Sequence, residues 1–260
     1  KMDYLYDKVA LYDTIKHIVR GHGLTDNIPA IQEDLKDIEH QMLHFLENHD
    51  EHRIASQDFA GSAERGKPAM VVSATISTSP TMIYFGQEVG EPGEENIKYG
   101  KTTQTSIFDY VGVPTIQRWA NGKKFDGGQS TEEELKLRDF YKRLLNFTMR
   151  SEAMMGAYAE IHGHNRRITE DYDHRIFSFV RWTESEQLLI VANFDQEKTY
   201  AIDLAVPKDI ISTWELNDGA YPMTDQLSEA NSTELVVKNG TGKITLKVDP
   251  NESVILKLDR

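Results

Sequence analysis

Near residue 165 the periodicity of this 260-residue chain changes, and that change limits its fold more than any other feature. Before it, stretches with helical spacing alternate with short apolar runs. After it, only short strand-like runs occur, at 176–180, 188–192, 200–204, 233–237, 244–248 and 254–258. Turn signals such as Asn217-Asp218-Gly219 and Asn239-Gly240 separate them. Alternating helices and strands followed by strands alone imply an α/β part joined to an all-β module, a sandwich or Greek-key sheet. The expected division is 1–165 and 166–260.

In the first part, 4–19 carries Leu5, Val9, Tyr12, Ile15 and Ile18 at roughly helical spacing, and Gly21 and Gly23 end it. A second helix is expected over 29–41, opened by Pro29. The apolar run Met42-Leu43-His44-Phe45-Leu46 then opens into the polar cluster Glu47-Asn48-His49-Asp50-Glu51-His52-Arg53. That is the pattern of a buried parallel strand whose C-terminal end meets a site. Residues 69–77 read as a buried helix, and 80–86 as a second buried strand ending in Gln87-Glu88. A Gly-, Pro- and polar-rich stretch follows over 90–130, of a length usually kept for function. Thr131-Glu132-Glu133-Glu134 spells a capping box before another helix.

Composition narrows the partners. With 39% hydrophobic residues the chain can build a core, and 29 basic against 42 acidic side chains give a net charge of −13. Such a balance disfavours nucleic acid and anionic membrane surfaces. No run approaches the ~20 apolar residues of a membrane span. Cysteine is absent, which removes disulfides, thiolate metal sites and a thiol nucleophile. The stretch 61–68 nearly spells a phosphate-binding loop, but Pro68 stands where a hydroxyl residue is needed, so nucleotide binding is not expected. His49 and His52 lack a third ligand fixed by spacing, and no metal site is expected. His162 and His164 are expected in a solvated loop.

The Asn48-His49-Asp50 triplet resembles the strand-seven motif of the α-amylase family, glycoside hydrolase family 13. Other pieces follow in the family's order. Tyr4-Leu5-Tyr6-Asp7-Lys8-Val9 resembles the segment near barrel strand six. Ile83-Tyr84-Phe85-Gly86-Gln87-Glu88-Val89-Gly90 resembles strand eight and its loop. Gln117-Arg118-Trp119 is similar to an Arg-containing loop before the last barrel helix, and 179–194 to the start of the C-terminal β-domain. The resemblance implies the last strands and helices of a (β/α)8 TIM barrel, followed by a β-sandwich.

It also implies roles. Asp50 becomes the stabiliser of an oxocarbenium-like transition state, and His49 a contact to the sugar beside the scissile bond. Asn48, Arg53, Glu88 and Trp119 join the substrate-binding set, although Arg53 reads first as an ion-pair partner for a nearby carboxylate. Tyr110 is a further candidate for sugar stacking. Asp7, Asp13 and Glu47 read as structural acceptors. A retaining glycosidase needs two further carboxylates. No Gly-x-Arg-x-Asp segment for the nucleophile occurs here, and the acid/base would precede Lys1. The 165 residues of the first part also fall short of the ~250 of a whole barrel.

The chain therefore reads as the C-terminal part of a longer enzyme acting on starch-like α-glucans. Its open barrel edge would be covered by the missing N-terminal segment or by another chain. No cofactor is expected in this part. Calcium, common in the family, would be held upstream. No signal peptide is visible, and the start Lys1-Met2-Asp3 is not an ordinary translation start, which leaves room for a targeting segment in a longer parent. The resemblance alone implies a bacterial, secreted or periplasmic setting. Two other readings stand beside this one: a trehalose-synthase-like transglycosylase or isomerase, and a non-catalytic amylase-related protein that binds glucan.

Overall fold

The computed structural model describes residues 2–93, 103–105, 112–228 and 232–259. Its first part holds three parallel strands in sequence order: β1 (Leu5–Tyr6), β2 (Met42–Phe45) and β3 (Thr81–Met82). Leu5 pairs with Met42 and His44 with Thr81. The crossovers are helical: α1 (Asp13–Val19) and α2 (Asn27–Leu35) join β1 to β2, and α3 (Lys67–Thr75) joins β2 to β3. This is the repeated strand–helix–strand unit of a partial barrel.

Three expectations change. Residues 4–19 are not one helix, because Leu5 and Tyr6 pair with β2 before a π-helical turn, Lys8–Tyr12, leads into α1. The expected strand over 80–86 keeps only two paired residues, since Tyr84 already starts the turn that leads to Gly86 at φ 87°. The polar stretch 90–130 contains helix α4 (Pro114–Ala120). Its tyrosine candidate, Tyr110, lies outside the described residues. The capping box is formed as read: Thr131 Oγ1 accepts the Glu134 N–H, the Glu134 carboxylate accepts the Thr131 N–H, and α5 (Glu132–Arg150) follows.

The second part is one eight-stranded antiparallel sheet folded over on itself. Its strands are β4 (Ala157–Glu160), β5 (Ile176–Trp182), β6 (Gln187–Asn193), β7 (Tyr200–Val206), β8 (Gly219–Asp225), β9 (Ser232–Lys238), β10 (Thr241–Val248) and β11 (Ser253–Leu258). They lie in the order β4-β5-β6-β11-β8-β9-β10-β7. Helices α6 (His162–Ile168) and α7 (Lys208–Thr213) flank it. The inward side chains of β5, β6 and β11 share one apolar cluster with those of β7, β9 and β10, which is what makes the sheet sandwich-like. At the β7 edge, the Asn165 side chain of α6 donates to Ala205 O at 2.9 Å and accepts from Ala205 N at 2.8 Å. An amide there stands in for the missing neighbour strand and blunts the edge.

Of the two apolar clusters, one lies within 161–258 and the other runs across the expected boundary at 166. The edge strand β4 precedes it, and the outward residues Phe177, Phe179, Leu188, Ile190 and Ala192 pack into one cluster with Ile15, Phe45, Val71 and Leu144. Each fully buried Leu, Ile or Phe contributes about 1.5–3 kcal/mol, so this seam joins the parts firmly. The carboxylate of Glu186 adds a polar clasp. It accepts from Ser151 Oγ at 2.6 Å, Ala153 N at 2.9 Å and Lys257 Nζ at 2.9 Å.

Candidate functional site

The loop after β2 is shaped by its own side chains. Asn48 Oδ1 accepts the N–H groups of Asp50 at 2.8 Å and Glu51 at 2.9 Å, an Asx turn that reverses the chain at once. Beneath the turn Glu47 is buried. Its carboxylate accepts from Arg53 Nη1 at 2.7 Å and from Ile54 N at 2.7 Å. Burial pushes the Glu47 carboxyl upward in pKa, and the Arg53 charge beside it opposes that shift. Glu47 is therefore the structural acceptor expected of it.

Arg53 is fully buried. Besides Glu47 it donates to Phe85 O at 3.0 Å and to Thr105 Oγ1 at 3.0 Å, and its guanidinium lies 4.7 Å from the Tyr84 ring centroid. These contacts tie the β2 loop, the β3 loop and residues 103–105 together. A place among the direct sugar contacts does not fit a side chain with no exposed surface. The ion-pair reading does.

His49 and Asp50 face outward, with side chains 37% and 75% exposed and His49 Nε2 3.1 Å from Asp50 Oδ2. Beside them Glu51 accepts a hydrogen bond from the Tyr12 hydroxyl at 2.9 Å, with Lys8 Nζ at 3.4 Å and Lys16 Nζ at 3.9 Å. Tyr12 stacks on Phe45 at 4.9 Å, and burial, then Glu51, raise its hydroxyl pKa, so it stays a donor. Sequence reasoning missed this network. Tyr12 and Glu51 are far apart in the chain and meet only because β1 and β2 pair in parallel. His52 Nδ1 contacts Thr103 Oγ1 at 2.6 Å, with Asp58 Oδ2 at 3.6 Å. Among the described residues no three His, Asp or Glu side chains gather in a geometry fit for a metal ion.

Glu88 lies on the short helical turn Gln87–Val89 after β3, where its Oε2 accepts the Gly86 N–H at 3.1 Å. The Arg53–Phe85 bond holds that loop against the β2 loop, so Glu88 and the His49–Asp50 pair share one end of the sheet. Trp119 is placed differently. It sits on α4 and packs toward α5, its ring centroid 4.5 Å from the Arg138 guanidinium and 6.1 Å from Phe125. Among the described residues no ring contact links it to the β2 loop. The expected solvated loop at His162 is a helix, and His162 is buried against Tyr172 and Phe177.

Comparison with known proteins bears on both parts. Residues 168–259 match the family model described as alpha amylase, C-terminal all-beta domain. No curated protein matches the chain. A noncanonic maltogenic alpha-amylase from Thermotoga neapolitana is similar in structure at TM-score 0.67 and 16% identity, over 99% of this chain and 51% of that one. An alpha-amylase from H. orenii matches at TM-score 0.62 and 15% identity, over 99% and 49%. One from Geobacillus thermoleovorans, complexed with acarbose, matches at TM-score 0.63 and 14% identity, over 96% and 47%. The chain thus spans about half the length of these structures, and at such identities the likeness is one of fold.

Proposed function

We propose that this chain, whose residues 168–259 belong to the alpha amylase C-terminal all-beta domain family, is the C-terminal part of an alpha-amylase-type glycoside hydrolase acting on α-glucans by a retaining mechanism. One observation carries the reading: His49 and Asp50 stand on the loop at the C-terminal end of the middle strand of three parallel strands, the barrel face where such enzymes place their chemistry. In this reading Asp50 stabilises positive charge developing on the sugar ring, and His49 and Asn48 contact or position it. Glu88 lines the neighbouring loop. Arg53 acts only by holding the loop. Trp119 is a more distant, outer contact. The complex with acarbose of a structurally similar protein supports an oligosaccharide as ligand.

The nucleophile and the acid/base belong to a segment upstream. Charge in open water is a weak catalyst: two unit charges 4 Å apart attract by about 1 kcal/mol in bulk water and about 4 kcal/mol at the dielectric of a protein surface. Asp50, 75% exposed here, needs walls that exclude water. The chain alone is therefore proposed to be inactive. The half-exposed Tyr4, Leu5 and Tyr6 at the β1 edge are proposed to be covered by the upstream strands or by another chain.

The test is the complete reading frame assayed on starch, beside its Asp50→Asn variant. The expected loss of kcat is at least ~10²–10³-fold, the scale of removing a preorganised electrostatic stabiliser, with the melting temperature retained because Asn keeps the size and shape of the Asp side chain. Turnover unchanged in Asp50→Asn would sink the reading. Conversion of maltose to trehalose, rather than release of shorter glucans, would select the isomerising alternative. Glucan binding with no turnover in the complete frame would select the non-catalytic one.

A further inference from the structure

A cleft of about 470 Å³ lies between the C-terminal part of α5, the end of β11 and the residues that follow β8. That volume is within the range of small-molecule sites. Four cationic side chains line it, Lys142, Arg143, Arg150 and Lys257, against two carboxylates, Asp139 and Glu186. Both carboxylates are already engaged. Asp139 pairs with Arg143 one turn along the helix, and Glu186 accepts from Ser151, Ala153 and Lys257. Lys142 and Arg150 are exposed, and neither forms an ion pair with a described residue. Their spacing brings them together. Lys142, Asn146 and Arg150 recur every four residues, so they lie on one face of α5. The outer two are ~12 Å apart along the axis, a gap that two long side chains close from its ends, over Asn146. The Asn146 amide donates one of its two N–H groups to Lys142 O, and the Lys257 ammonium uses one of its three on Glu186. Each keeps a donor for a ligand.

The lining selects the ligand. Two uncompensated positive charges in a concave site match a dianion, and in a chain of net charge −13 they reverse the field locally. A guanidinium beside ammonium groups suits a tetrahedral oxyanion, because the planar fork bonds two of its oxygens at once. A phosphate monoester fits both demands, with a charge of about −1.5 to −2 at pH 7 and three acceptor oxygens. We propose that this cleft is an anion site that takes a phosphate group, free or as the monoester of a small organic molecule. Lys142, Arg150 and Lys257 supply the charge and Asn146 a further donor, while Phe147 and Leu227 give an organic part an apolar wall. The proposal draws nothing from the α-glucan reading, and it shares no residue with the His49–Asp50 loop. A phosphate held from both sides would bridge α5 to β11 and brace the junction of the two parts of the chain.

The experiment is isothermal titration calorimetry of the full 260-residue chain with inorganic phosphate, glycerol 3-phosphate and glycerol, all at one ionic strength. Saturable binding of both phosphates is expected, and none of glycerol. Affinity should fall at least ~10-fold in a Lys142→Gln, Arg150→Gln double variant, which loses two charge-assisted contacts. It should be unchanged in Lys243→Gln, which removes a charge from β10, outside the cleft. Both cleft residues are exposed, and melting temperatures check the fold. Arg150 also complements the C-terminal end of the α5 dipole, so Lys142→Gln alone is the second variant, with an expected loss of about threefold, the scale of one exposed ion pair. Tighter binding of glycerol 3-phosphate than of inorganic phosphate would support the site and identify an organic phosphate as its ligand. Equal or weaker binding of the ester would support it as a site for the free ion. No saturable binding of either phosphate would overturn the proposal. So would full affinity in the double variant, or an equal loss in Lys243→Gln, which would mark the attraction as diffuse charge.

Discussion

At the residue scale, the buried pair Arg53–Glu47 decides how firmly the His49–Asp50 loop is held. Removing one partner leaves a charge buried and alone, at a cost of about 3–5 kcal/mol, whereas replacing both with apolar groups is far milder. Arg53→Ala is expected to lose that much in urea denaturation, and Glu47→Leu/Arg53→Met much less. A loss below about 1 kcal/mol for Arg53→Ala would mean that the pair is solvated. His44 carries a second, pH-dependent term. It is buried, with Nδ1 3.1 Å from Asp7 Oδ2 and Nε2 2.8 Å from Ser77 Oγ and 3.3 Å from Glu39 Oε1. Burial pulls its pKa down, but Asp7 and Glu39 outweigh burial and leave it raised. A histidine whose folded pKa is raised contributes stability fully below its unfolded pKa, ~6.5, and loses it as pH rises through the folded value. The urea midpoint of the native chain is expected to fall across that window, and that of His44→Gln to fall less. Parallel curves for the two proteins would refute the assignment.

At the element scale, the strands record how many layers cover them. β6 is buried at every position, with Leu189 and Val191 facing the interior of the folded sheet and Leu188, Ile190 and Ala192 facing the helices. β10 alternates exposed and buried residues because water covers its outer face. The continuous run 188–192 and the alternating run 244–248 are the two patterns that double and single coverage dictate. β4 and β8 carry no such pattern. β4 is four residues long, and β8 starts in a turn signal at Gly219 and contains Pro222, so neither reads as a strand until its partners are known. Helix α5 is the opposite case, since its start is written locally. Thr131→Ala is expected to cost about 1 kcal/mol, the usual worth of an N-cap. A melting temperature unchanged in that variant would show that the first turn is held by packing and by the Arg118–Glu134 ion pair instead.

At the scale of the whole molecule, a single apolar cluster spans both parts of the chain, so the barrel strands and the β-sheet should not melt independently. One calorimetric transition is expected, with the same midpoint by near-UV circular dichroism and by tryptophan fluorescence. Two resolved transitions would show that the seam contributes little. Arg181 lies in that seam, buried and donating to Met154 O at 2.7 Å and Gly156 O at 3.1 Å, and burial pulls its pKa down to about 10. It still carries charge at neutral pH, so those carbonyls are tied to it throughout the physiological range.

The sequence by itself determined the α/β-then-β order, the capping box and the loop that carries His49 and Asp50, because periodicity, caps and Asx turns act over a few residues. It also held the likeness of 168–259 to a known β-domain. Only the tertiary structure decided that Arg53 is interior, that His162 is buried, that Tyr12 meets Glu51 and that Trp119 packs on α5. Each of those depends on side chains brought together from distant positions by strand register and by the folding over of the sheet, and neither leaves a local trace in the order of residues.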